Sequence, residues 1–230
     1  MSKKAILVTG GLGYIGSHTV VEIFNKTFLE SEGLKDEYEV VIVDDCSNCK
    51  EKVLGILEKI TGAKINFFKI DVLDKVKLEE VFQKFQFYGV IHFCAKKSIS
   101  ECFDKPLYYY ENNVTGTINL IDLCLKYKVN NFVFSSSFTV YGLRDDVVKE
   151  DDPKLNPTNP YGRTKLFNEH MIIDIAAANK DFKAVILRYA NPVSAHPSGL
   201  IGEDPNGIPE NLFPVIGNYV RGLKEKLYIF

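Results

Sequence analysis

Six short apolar runs rich in β-branched residues alternate with longer helix-like stretches along most of the chain, and few folds accommodate that rhythm. The runs are Ala5–Thr9, 39–44, 65–70, 89–94, 131–136 and 184–189. Each is nearly all apolar, as expected of strands covered on both faces. Between them, residues 14–28, 51–60, 75–85, 113–127 and 161–178 read as helices. The alternation predicts an α/β fold, a doubly wound parallel sheet with right-handed crossovers. Residues 1–190 supply that whole body. The charged segment 29–38 reads as a solvent loop lengthening the first crossover.

The pattern changes after Tyr189. Pro192, Pro197, Pro205, Pro209 and Pro214 arrive together with Gly199, Gly202 and Gly207. Such a stretch excludes regular helix and central strand. Its length points to a functional loop region, with a short helix near 215–223. Residues 191–230 therefore read as a second, partial domain. The apolar end, Leu227-Tyr-Ile-Phe230, is strand-like, and further chain is expected to follow it.

Composition removes several function classes. Lys and Arg number 28 against 30 Asp and Glu, a net charge of -2, so no basic excess serves a nucleic-acid backbone. No apolar run reaches the length of a membrane span. Met1-Ser-Lys-Lys leads directly into the first strand without a secretory core, which predicts a cytoplasmic protein. Five cysteines, an odd number, do not make a disulfide framework. Cys46 and Cys49 form a C-x-x-C pair, but no second pair or matching histidines complete a zinc set. They read as free loop thiols, and no metal is expected. Cys94, Cys102 and Cys124 lie in apolar surroundings and read as core residues.

The first strand ends in Thr9-Gly-Gly-Leu-Gly-Tyr-Ile-Gly16 and opens a helix. Gly10, Gly13 and Gly16 (or Gly11, Gly13 and Gly16) match dinucleotide-binding spacings. Glycines allow the tight turn and the close approach of a pyrophosphate to the helix N-terminus. The second strand ends at Asp44, followed by Asp45. A carboxylate there accepts from an adenosine ribose and repels a 2′-phosphate, which favours NAD over NADP. Asp71 follows the third strand, where it would meet the adenine edge. His92-Phe-Cys-Ala-Lys-Lys97 ends the fourth beside the expected crevice, making Lys97 a candidate contact.

The fifth strand ends in Ser135-Ser-Ser137, and a helix opens with Pro160-Tyr-Gly-Arg-Thr-Lys165. Tyr161 and Lys165, four apart, share one helix face. A nearby ammonium and a cationic nicotinamide favour a phenolate at Tyr161. Ser137 can steer the proton of a substrate hydroxyl toward it.

These residues resemble the extended short-chain dehydrogenase/reductase family, and within it the branch that epimerises UDP-sugars at C4. The glycine segment through His18, Ser135-Ser-Ser-Phe-Thr-Val-Tyr-Gly142, and above all the long run from Arg188 to Pro209 carry the likeness. It implies interconversion of UDP-galactose and UDP-glucose through a 4-keto intermediate, with NAD tightly bound. By the same resemblance Tyr14, Ile15, Asp44, Asp45, Cys46, Ser47, Asn48, Cys49, Asp71, Val72, Phe93, Cys94, Ala95, Lys97, Asn112, Tyr161, Lys165 and Tyr189 would contact NAD. Ser137, Tyr161, Asn191, Asn211, Leu212 and Phe230 would face the UDP-sugar. A homodimer is the assembly to test. The chain departs from the family at Phe138, Ala190, Ala95 and Asp45, where the family has alanine, an aromatic residue, glycine and asparagine. Two alternatives stay open: a nucleotide-sugar dehydratase or reductase of the same fold, and an NAD-binding chain without turnover.

Overall fold

The computed structural model describes residues 4–25, 38–207, 211–223 and 225–226. The predicted loop at 29–38 and the chain end at 227–230, including Phe230, fall almost wholly outside the described residues. Six strands form one sheet: β1 (Ala5–Thr9), β2 (Glu39–Val43), β3 (Asn66–Phe68), β4 (Phe87–His92), β5 (Asn131–Ser137) and β6 (Lys183–Tyr189). Their order is β3-β2-β1-β4-β5-β6, and every neighbouring pair is parallel. The doubly wound α/β expectation holds. β4 begins two residues earlier than the sequence suggests, and β3 keeps only the middle of its run.

Helices α1 (Tyr14–Ile23), α2 (Val53–Thr61) and α3 (Lys75–Lys84) follow the first three strands. After β4 the sequence pattern missed two short helices, α4 (Ile99–Asp104) and α5 (Pro106–Tyr110). Ser98 caps the first by accepting from Glu101 N, and Pro106 opens the second. A π-helical turn, Glu111–Thr115, runs on into α6 (Gly116–Lys126). α7 (Pro160–Ala178) is capped by Asn159, whose side chain accepts from Gly162 N at 2.8 Å. The last, α8 (Leu212–Val220), starts three residues before the expected point and includes Pro214. Proline is tolerated there because the N–H groups of a first turn have no helical partner.

Alternation along the strands divides the core between two faces. Leu7, Val41 and Val43 pack with Leu78, Phe82, Leu120 and Phe134 on one face. Val8 and Ile42 pack with Leu12, Val20 and Leu57 on the other. Ile201, from the proline-rich segment, is buried in that second cluster, so this stretch is seated on the body. The edge strand β6 departs from expectation: Val185 and Leu187 are exposed, so one of its faces is not covered.

Strand order reverses direction between β1 and β4. The loops after these two strands therefore diverge and leave a crevice at their C-terminal ends. The glycine turn and the Phe93–Lys97 segment both open onto it.

Candidate active site

The glycine turn is closed by geometry that only glycine fits. Gly10 has φ +71°, and a Cβ there would meet Cys94 N at 2.9 Å. At Gly16 a Cβ would fall 2.1 Å from the Gly10 carbonyl oxygen. Backbone amides thus line a cradle at the start of α1 with no side chain in the way.

Asp44 ties this turn to the second strand. It is 5% exposed; Oδ2 accepts from Leu12 N at 3.1 Å, and Oδ1 accepts from Cys46 N at 2.9 Å and the Cys49 thiol at 3.4 Å. Burial raises its carboxyl above the usual range, and the hydrogen bonds offset part of that rise. A buried acid beside an amide-lined turn is the arrangement that takes a ribose diol. Asp45 faces outward, accepting from Ser47 N at 2.9 Å and Ser47 Oγ at 2.7 Å. Burial raises its carboxyl, but Ser47 and the Lys96 ammonium outweigh that and hold it low. Lys96 is the lysine that reaches the acidic turn, 2.7 Å from Ser47 Oγ, whereas Lys97 pairs with Glu203 at 3.3 Å.

Ligand atoms of Asp44, Cys46 and Cys49 lie within 4.8 Å of one another. Burial and the Asp44 charge raise both thiols, so each stays protonated, and the cluster is a closed hydrogen-bonded knot. Cys46 holds a positive φ of 58°, which turns the chain sharply before Ser47 and Asn48. Tyr14 and Ile15 lie in the first turn of α1. Asp71 is exposed and folds back to accept from Leu73 N at 2.9 Å. Val72 is buried against Gly116, where a Cβ would come within 2.7 Å of Val72 Cγ2. Phe93, Cys94 and Ala95 continue from β4, with Phe93 N bonded to Thr9 O at 3.0 Å. Cys94 is half-buried at the crevice, so the core placement expected of it fails, while Cys102 and Cys124 are buried. Asn112 is buried in the π-turn, donating to Asn113 Oδ1 at 2.9 Å.

The second cluster gathers where β5 ends. Ser137 Oγ accepts from Thr139 N at 3.2 Å and Thr139 Oγ1 at 2.9 Å. With both lone pairs used, its own proton is free to be donated, and Tyr161 is the partner beside it. Burial holds the Tyr161 hydroxyl above its usual range, and Ser137 pulls it part of the way back. The expected phenolate is therefore not favoured by the protein alone. Lys165 is 3% exposed, its Nζ 5.8 Å from the Tyr161 ring centre and bonded to Ser135 O at 2.6 Å. Burial pushes its ammonium down to about 8. Tyr189 stands beside Ser137 in the β5–β6 register. Phe138 is exposed and packs on Tyr141, ring centres 5.0 Å apart.

Sequence pattern did not disclose the polar frame around these groups. Asn113 bridges Lys96 N at 2.8 Å and Thr164 Oγ1 at 3.1 Å, so the loop after β4 is pinned to α7. Buried Glu169 holds Ser136 and pairs with Arg188 at 2.7 Å, fixing the ends of β5 and β6. Of the residues expected to face a sugar, Asn191 and Leu212 are exposed, and Asn211 donates to Glu203. They lie apart from Tyr161 in the chain, on the proline-rich segment and at the start of α8.

Comparison with known proteins places this geometry. A model of the NAD dependent epimerase/dehydratase family matches residues 6–229. The chain belongs to that family. It is 44% identical to the UDP-glucose 4-epimerase of Bacillus subtilis over 98% of this chain and 64% of that protein. With the UDP-glucose 4-epimerase of Pasteurella multocida identity is 47%, covering 98% of this chain and 64% of the relative. The crystal structure of the Bifidobacterium longum UDP-glucose 4-epimerase, in complex with NAD+ and UDP, superposes with a TM-score of 0.89. It is 39% identical and covers 97% of this chain and 64% of that one. The chain thus spans just under two thirds of these relatives' length. Among the described residues, no helix is long and apolar enough to cross a membrane.

Proposed function

We propose that the chain carries out the NAD-dependent interconversion of UDP-galactose and UDP-glucose at C4, in the cytoplasm. One observation carries this reading: Ser137, Tyr161 and Lys165 gather where β5 ends, at the same edge of the parallel sheet as the glycine turn tied to buried Asp44. The names of the relatives point to the substrate pair. NAD, when bound, supplies a hydride acceptor and donor for the sugar carbon. The cradle fits it, because a Cβ at Gly10 or Gly16 would fill the space and Asp44 offers a carboxylate to a diol.

The protein's part is proton handling and orientation. Tyr161 takes the proton of the 4-hydroxyl and returns it to the opposite epimer. Ser137, fixed by Thr139, donates toward Tyr161 and stabilises the charge that develops on the phenol. Lys165 has one protein acceptor among the described residues, Ser135 O, so its other N–H groups are available to cofactor hydroxyls. Its positive charge further lowers the cost of the phenolate. Residues 1–190 would hold the cofactor, with Tyr14, Asp44 to Cys49, Phe93 to Lys97 and Asn112 along the cleft. Asn191, Asn211 and Leu212, in the segment 191–230, would meet the UDP-sugar. The second copy expected from the resemblance would make a homodimer, which sedimentation of the purified chain tests.

The test of function is direct. The purified chain, supplied with NAD and UDP-galactose, should form UDP-glucose, detected with a UDP-glucose-specific dehydrogenase. Absence of product from a chain that has bound NAD would overturn the proposed activity.

A further inference from the structure

The loop that follows Asp44 is held from outside as well as by its own hydrogen bonds to Asp44 and Asp45. Residues 46–49 turn on a left-handed cysteine, and each has its carbonyl within hydrogen-bond reach of the proline-rich segment. Those carbonyls converge on one residue of that segment. Asn206 Nδ2 lies 3.1 Å from Cys49 O, 3.3 Å from Ser47 O and 3.4 Å from Cys46 O. Its backbone N–H donates to Asn48 O at 3.4 Å, so all four carbonyls of the turn meet one residue. Flanking ion pairs hold the same crossing: Lys50 with Asp204 at 2.5 Å, and Lys97 with Glu203 at 3.3 Å. Upstream, Ile201 is buried in the core, and Tyr14 Oη exchanges hydrogen bonds with Ser194 at 2.6 and 2.7 Å.

We propose that Asn206 is a positioning residue for the cofactor: it clamps the 46–49 turn, and through that turn sets how tightly the adenosine end of NAD is held. The inference rests on the assignment of Asp44 to the ribose. The physical link is short. Asp44 Oδ1 accepts from Cys46 N and the Cys49 thiol, the two ends of the clamped turn. Without the clamp these donors lose their fixed position, and the carboxylate is no longer preorganised for a diol. Cofactor retention and the seating of the sugar-side segment thereby become one equilibrium. A ligand that orders the segment tightens NAD, and the reverse follows by linkage.

Substitutions at Asn206 separate this role from general structure, because the residue is exposed and contributes no core packing. Calorimetric titration of the full chain with NAD, and separately with ADP-ribose, is the measurement. Asn206→Ala should weaken both ligands by about ten-fold, the factor that about 1.4 kcal/mol represents. Asn206→Asp, the same size but a carboxylate among carbonyls, should weaken both further. Asn206→Gln, which keeps two donors, should recover most of the affinity. Melting temperatures of the ligand-free variants should stay within about 2 °C of the parent, a shift no larger than exposed substitutions cause. Unchanged affinity in Asn206→Ala and Asn206→Asp, with the parent binding NAD, would overturn the clamp and leave the cofactor assignment intact. A parent that binds neither NAD nor ADP-ribose would overturn the cofactor assignment and the clamp with it.

Discussion

Replacing Lys165 with methionine should make the ligand-free chain more stable at neutral pH. The lysine is 3% exposed, and burial holds its ammonium at about 8 against an ordinary 10.5. Below both values the folded protein carries a charge it disfavours, a cost of about 3 kcal/mol. Against this, the charged hydrogen bond to Ser135 O, at 2.6 Å, contributes about 1.5–3 kcal/mol. Methionine has nearly the same length and fills the same space without the charge. The balance predicts a gain of about 1 kcal/mol at pH 7. The pH dependence carries the sharper signature. Between about 8 and 10.5 the unfolded chain binds a proton that the folded chain does not, so parent stability rises with pH through that window. Lys165→Met lacks this rise, and its advantage should become a deficit of about 1 kcal/mol by pH 9.5. Urea unfolding of both proteins at pH 7 and 9.5 measures it, since all other titrating groups are shared. A variant that is less stable at pH 7, or a difference that does not change with pH, would refute the assignment of a costly buried ammonium. The gain would come with weaker NAD binding, as expected where a site holds a strained charge for function.

Three further outcomes follow from the geometry. Tyr161→Phe removes only the hydroxyl, so NAD affinity should hold while any epimerase rate falls about 100- to 10,000-fold, read by product formation. Gly16→Ala places a Cβ 2.1 Å from Gly10 O, which forces the turn open; calorimetry should find no NAD binding, with a lowered melting temperature. His92 is buried between Thr9 and Thr117, and burial lowers its imidazole to about 3. The unfolded chain gains a proton below 6.5 that the folded one refuses, so stability is lost as pH falls, by about 3 kcal/mol at pH 4.5. Denaturant unfolding of His92→Gln should show a shallower loss over the same range.

The body was legible in the sequence because a parallel sheet covered on two faces needs continuous apolar runs, and Ala5–Thr9 and 131–136 supply them at strand length between helical stretches. The glycine turn and the Tyr161–Lys165 pair were legible for a similar reason: the chemistry demands fixed local spacing. Helices α4 and α5 escaped because they are six and five residues long, too short for a helical period to show. The frame of the site escaped for a different cause. Asn113 reaches Thr164 and Asn206 reaches Cys46 across 51 and 160 positions, and no local pattern marks such contacts. Glu169 escaped too: between Asn168 and His170 it reads as an ordinary surface acid of α7, and only the fold buries it against Arg188. Lys96 and Lys97 show the limit most plainly: adjacent in sequence, they point to Asp45 and Glu203 respectively, and only the fold separates them.

The proposed activity meets its most direct test with UDP-galactose deuterated at C4. If the chain oxidises and reduces that carbon within one closed site, the hydride that leaves is the one that returns. The expected product is UDP-glucose that keeps its deuterium at C4, formed at least about 100-fold faster by the parent than by Tyr161→Phe, as read by proton NMR. UDP-glucose that has lost its deuterium to solvent, or formation at an equal rate in Tyr161→Phe, would contradict the mechanism assigned to Ser137, Tyr161 and Lys165.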